Sequence, residues 1–232
     1  MSSGESKSPP GPDRPPRELS RQLAIRHRLA WRLGPTSIRV AARLIWRLRI
    51  EREGPFPEPP FIIAANHLSF LDPPLVGAAW GRRLRFITLS DLFGNYPLLD
   101  FTLNSFEAIR VSRGTVPLSA IRQALAHLAD GGVVCLFPEG TRSPKWGEVR
   151  PLPGAAWLAV RAGVPIVGMA AIGTDQVLGI DNKLHRGRIT IKIGPTFYPE
   201  GSGRPAVDDL TKRWSDWIAT ATDPELQRRK WG

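Results

Sequence analysis

The chain has 232 residues, 42% of them hydrophobic and 23% charged, and its 32 Lys and Arg against 21 Asp and Glu give a formal net charge of +11. This content supports one packed α/β domain with appendages and excludes wholesale disorder. The longest apolar runs, 61–65 and 133–137, fall far short of the roughly 18 residues that span a bilayer. The single Cys135 excludes an internal disulfide and fits a reducing compartment, and no secretory signal is expected. The charge alone predicts an anionic partner: nucleic acid, membrane or phosphorylated metabolite.

Residues 1–18, with prolines at 9, 10, 12, 15 and 16, read as a disordered tail. Residues 19–52 form a distinct basic unit. Arg21, Arg26, Arg28, Arg32, Arg39, Arg43, Arg47 and Arg49 interleave with apolar residues at helical spacing, with no acid between 20 and 50. Gly34-Pro35 is expected to break the run into two helices, each carrying a tryptophan, Trp31 and Trp46. Such a pair suits an anionic membrane surface, where each basic residue contributes about 1 kcal/mol. The alternatives are a solvated helix pair packed on the core and a nucleic-acid arm, although no nucleic-acid-binding signature is present.

The proline-rich stretch 54–60 closes that unit, and residues 53–232 form the remaining domain. Strands are expected at 61–65, 85–88, 108–111, 133–137, 165–172 and 188–193, the last as a half-exposed strand near an edge. Helices are expected at 73–80, 117–130, 154–162 and 205–220. The alternation predicts an α/β single domain with a mixed, mostly parallel sheet flanked by helices. Gly201-Ser202-Gly203 mimics a dinucleotide fingerprint, but Pro205 follows and no βαβ unit remains, so it reads as a loop.

Two clusters carry the chemistry, each at the carboxyl end of a buried strand, where open α/β sheets bind ligands. The first is Asn66-His67-Leu68-Ser69-Phe70-Leu71-Asp72. His67 and Asp72 would diverge by about 140° on a continuous helix, so the strand-to-helix turn has to bend the imidazole back to the carboxylate. That gives an oriented general base. Asp72 is also expected to cap the next helix and Ser69 to brace the turn. The second cluster is Pro138-Glu139-Gly140-Thr141-Arg142-Ser143. Arg142 suits a two-pronged bond to phosphate, Thr141 adds donors, Gly140 permits close approach, and Glu139 orients these parts. Arg113, between Ser112 and Gly114, is a further candidate.

Together these residues resemble the glycerolipid acyltransferase family, which includes bacterial 1-acylglycerol-3-phosphate acyltransferases. The resemblance rests on four ordered blocks over residues 55–195: His67 with Asp72, residues 111–114, residues 138–143, and Val164-Pro165-Ile166-Val167. Ser112 stands where many members carry Asp. The resemblance implies acyl transfer from acyl-CoA or acyl carrier protein to the free hydroxyl of 1-acyl-glycerol-3-phosphate, giving phosphatidic acid for phospholipid biosynthesis. It implies His67 as general base and Asp72 as its orienter, with backbone donors after His67 stabilising the oxyanion. It also implies that Arg113, Glu139, Gly140, Thr141 and Arg142 bind the acceptor phosphate. No metal and no bound cofactor are expected. The enzyme would be monotopic, on an anionic membrane at the cytoplasmic face of the inner membrane, without nucleic acid as a partner. The alternatives are an acyltransferase or transacylase acting on another lysophospholipid or an aminolipid, and a non-catalytic anionic-membrane or nucleic-acid binder.

Overall fold

The structure is a computed structural model that describes residues 17–89, 108–111, 117–143 and 145–223, with the side chains of 17–30 and 89 outside that description. The tail expected at 1–18 lies outside the described residues except for Arg17 and Glu18, which begin a helix. Helix α1 (Arg17–Trp46) runs unbroken through Pro35. This corrects the expected helix pair. Proline cannot donate to the Trp31 carbonyl, and a helix-interior proline costs about 3 kcal/mol. Trp31, Pro35, Ile38, Ala42 and Trp46 fall on one helical face, and that face packs on the core. Burying a large apolar side chain contributes about 1.5–3 kcal/mol, so this stripe offsets the lost bond.

Strand β1 (Arg49–Arg52) pairs in parallel with β7 (Thr190–Phe197). The sheet therefore starts before residue 53, and the expected boundary between an N-terminal unit and the domain does not divide the structure. No hydrophobic alternation marks Arg-Ile-Glu-Arg as a strand; it forms because β7 offers an open edge. As expected, β7 stands next to an edge of the sheet. It lies between β1 and β6 (Ile166–Ile172), antiparallel to the latter. The order is β1-β7-β6-β2-β5-β3-β4, with β2 (Phe61–Ala65), β3 (Arg85–Leu89), β4 (Ile109–Val111) and β5 (Val133–Leu136). All pairings except β6 with β7 are parallel.

Alternation along the strands divides the core in two. Phe61, Ile63 and Ala65 face α1 and α2 (Asp72–Trp80). Ile62 and Ala64 face α3 (Leu118–Ala129), α4 (Gly154–Ala162) and the last long helix, Gly203–Thr222. A short helix α5 (Thr174–Val177), which no sequence period marks, follows β6 and makes the last helix α6. Gly163 ends α4 in the left-handed conformation (φ 67°), as its position after the apolar period predicts. No described helix is long and apolar enough to cross a membrane.

Helix α6 seals one face of β6 and β7 through Trp217, whose ring lies where a side chain on Gly168 or Gly194 would stand. Its indole Nε1 donates to Glu53 Oε2 at 3.0 Å, and Lys192 Nζ pairs with Glu53 Oε1 at 2.6 Å. Gly194→Ala is expected to lower stability by about 1–3 kcal/mol in urea unfolding, the range for overpacking, and adding Trp217→Ala should recover part of that loss relative to the sum of the single changes.

Candidate active site

The parallel strands β2 and β5 are neighbours in the centre of the sheet, with Ala64 opposite Leu136. Their carboxyl ends therefore release the two motif loops side by side. On the other flank of β2, Asn66 continues the pairing with its side chain. Its Nδ2 donates to Ala171 O at 2.9 Å, and its Oδ1 accepts from Ala171 N at 2.7 Å. The chain turns only after this anchor.

In the turn, Asp72 Oδ2 collects three donors: His67 Nδ1 at 3.0 Å, Leu68 N at 2.7 Å and Ser69 N at 2.7 Å. The expected meeting of His67 and Asp72 is thus realised by a tight loop. Asp72 does not cap α2. It is the first helical residue, preceded by Leu71 with no side-chain cap bond. The reason lies in the following residues. Asp72 N donates to Ser69 O and Leu75 N to Leu71 O, while Pro73 and Pro74 between them have no N–H to satisfy. The first turn needs no cap, so the carboxylate is free to turn back on the loop. The amides of Leu68 and Ser69, expected as oxyanion donors, are committed to Asp72. Ser69 braces the loop, its hydroxyl accepting from Leu71 N at 3.1 Å and donating to Leu178 O at 2.6 Å.

Because two amides already donate to Asp72 Oδ2, the shared proton belongs on His67 Nδ1, which leaves Nε2 as the basic nitrogen. The imidazole stacks on Phe137, centroids 4.4 Å apart, which fixes its plane.

The second loop is bound to the first in both directions. His67 N donates to Glu139 Oε2 at 2.9 Å, and Ser143 N donates to His67 O at 3.0 Å. Glu139 is only 4% exposed, and its carboxyl braces the turn through that bond from His67 N. Burial pushes its pKa from 4.5 up to about 8, opposed by the bond from the His67 amide and assisted by the Asp72 charge. Gly140 takes a left-handed conformation (φ 65°) and, like Thr141, is exposed. Arg142 lies over the Phe70 ring, 3.6 Å from its centroid, and donates to Asn182 Oδ1 at 3.1 Å. Partial burial lowers its pKa from the ordinary value, opposed by Asp72. Arg113 lies outside the described residues. Among the described residues no group of three His, Cys, Asp or Glu converges as a metal site.

The site therefore holds His67, Asp72, Glu139, Gly140, Thr141 and Arg142 in one cluster. The aromatic supports Phe70, inside the first motif, and Phe137, directly before the second, are visible in sequence although their partners are not. Asn182 carries no signal, being a turn residue forty positions from Arg142.

The sequence pattern of the acyltransferase family matches residues 47–172. A 1-acyl-sn-glycerol-3-phosphate acyltransferase of Chlamydomonas reinhardtii is 28% identical over 176 residues, 74% of this chain. One of Pseudomonas aeruginosa is 26% identical over 183 residues, 76% of this chain and 70% of the relative. A lyso-ornithine lipid O-acyltransferase of the same bacterium is 30% identical over 164 residues, 64% of this chain and 62% of the relative. The match spans only 51% of the algal protein's length. The crystal structure of a 1-acyl-sn-glycerophosphate acyltransferase from Thermotoga maritima shares the fold, with a TM-score of 0.60 at 24% identity over 88% of this chain and 83% of that one. By the family pattern, which covers more than half of its length, the chain belongs to the acyltransferase family.

Proposed function

We propose that the protein transfers an acyl group from an acyl thioester to the free hydroxyl of 1-acyl-glycerol-3-phosphate, forming phosphatidic acid. The observation that carries this reading is the 3.0 Å contact between His67 Nδ1 and Asp72 Oδ2, which leaves Nε2 as a held base. His67 Nε2 takes the hydroxyl proton as the oxygen attacks the thioester carbonyl. The carbon–sulfur bond then breaks, and the thiolate leaves with that proton. No acyl-enzyme forms, because the substrate supplies the nucleophile and Ser69 is bonded on both sides. Arg142 and Thr141, with Arg113, hold the acceptor phosphate, and Glu139 fixes the loop beneath them. Acyl-CoA or acyl carrier protein supplies the acyl group. The names of the relatives, acting on lysophosphatidic acid or lyso-ornithine lipid, support a lysolipid acceptor.

A peripheral seat on an anionic membrane completes the reading. Leu33, Val40 and Leu44 (81% exposed) form an apolar stripe on the side of α1 away from the core, beside Arg32, Arg39 and Arg43.

Thioester release with a panel of lysolipid acceptors, lysophosphatidic acid and lyso-ornithine lipid included, tests the assignment; no release with any acceptor would sink it. His67→Ala is expected to lower turnover by roughly 10²–10⁴-fold with the fold intact by circular dichroism. Arg142→Ala should raise the Michaelis constant for lysophosphatidic acid about 10–100-fold, the effect of a lost charged bond, with a smaller change for an acceptor lacking phosphate. Glu139 is neutral when folded until the pH approaches about 8 but ionises near 4.5 when unfolded. Its stabilising contribution is therefore complete below about 4.5 and is lost as the pH rises through about 8. Glu139→Gln should flatten the decline of thermal stability between those limits, and an unchanged slope would contradict the assignment.

A further inference from the structure

The segment between α5 and β7 crosses the carboxyl edge of the sheet, because Ile172 at the end of β6 stands opposite Thr190 at the start of β7. It is a built turn. Leu178 and Leu184 form an antiparallel bridge, and Asn182 N donates to Gly179 O at 3.1 Å with Asn182 in the left-handed region (φ 56°). His185 N is held by Val177 O at 2.7 Å, and Lys183 N by Asp181 Oδ1 at 3.1 Å. This ordered turn presents Ile180 (47% exposed) and Leu184 (64% exposed) to solvent among Lys183, Arg186 and Arg188, against the one acid Asp181. An isolated exposed aliphatic residue needs no explanation. Two of them on a fixed turn, ringed by cations, have the composition of an interfacial contact.

Its place identifies the surface that it meets. One side of the turn reaches the proposed acceptor cradle, where Asn182 Oδ1 accepts from Arg142, and Leu178 O accepts from Ser69. The other side reaches the end of α1, where Ile189 N donates to Trp46 O at 3.2 Å and Arg49 N to Ile189 O at 2.9 Å. The exposed Leu44 and Ile45 lie on that same end of α1. We propose that the turn Gly179–Arg188 is a second bilayer contact, inserting Ile180 and Leu184 below the headgroups of an anionic leaflet while Lys183, Arg186 and Arg188 meet lipid phosphates. This inference rests on the lysolipid acyltransferase reading and adds a membrane-facing element apart from α1. The turn lies between the end of α1 and the cradle, so a lysolipid held in the leaflet beside it reaches Arg142 without leaving the membrane.

The full chain is sedimented with vesicles of phosphatidylcholine alone and with 30% phosphatidylglycerol, about a third as a working composition. Wild type should partition onto the anionic vesicles. Ile180→Ser with Leu184→Ser, and separately Lys183→Glu with Arg186→Glu, should each lower that partition about tenfold, with thermal melting unchanged. Thioester release with a short-chain, water-soluble acceptor should stay at the wild-type rate in both. Unaltered partition of both double variants overturns the inference, as does equal wild-type binding to neutral vesicles. Loss of thioester release in the wild type itself instead marks failure of the acyltransferase reading, which the binding measurement does not depend on.

Discussion

The architecture of the site depends on one oxygen atom. Asp72 Oδ2 accepts from the His67 imidazole and from the two amides that follow it, and so ties a side chain and its own turn to a single point. Each bond shortens the freedom of the others. The amides hold the carboxylate in place for the ring, and the ring plane is completed by Phe137. The arrangement requires a carboxylate not already spent on a helix terminus. Pro73 and Pro74 supply that condition, since residues without N–H groups leave nothing to cap. Helix geometry and imidazole geometry are thus one constraint seen from two sides.

The sheet brings the second loop to this point. Parallel neighbours β2 and β5 end at the same level, so two segments about seventy residues apart in sequence emerge together. The exchange of bonds between His67 and residues 139 and 143 then makes one rigid unit of two loops. Glu139 suits this role because burial favours its neutral form. A buried neutral carboxyl can accept from the His67 amide without placing a full negative charge under the proposed acceptor cradle.

Much of this was legible in sequence because the signals were local. Runs such as Phe61–Ala65 and the apolar period of α4 specify their elements directly, and the residues of both motifs are adjacent along the chain. The misreadings share a physical cause, which is that tertiary packing overrode a local rule. Pro35 normally stops a helix, but the stripe from Trp31 to Trp46 packs on the core, Trp31 and Ala42 buried and Ile38 and Trp46 partly so, and holds the helix together. Arg49–Arg52 has no strand pattern, and β7 recruits it as an edge. The turn amides after His67 looked available because sequence does not show that one carboxylate reaches all of them. Asn182 was invisible for the plainest reason: its partner is set by the fold alone.

Asn66 gives the sheet and the site a common reference. Its side-chain amide copies one more rung of the ladder between β2 and β6, donating and accepting at Ala171 as a backbone group would. A slip of β2 against β6 by two residues would preserve the alternation of faces and much of the apolar burial, yet it would strand both ends of this amide. The rung therefore works as an index mark. It ties the position of His67 along the chain to a discrete alignment of the sheet, so that among otherwise near-equivalent pairings only one both completes the core and brings the imidazole to the Asp72 carboxylate.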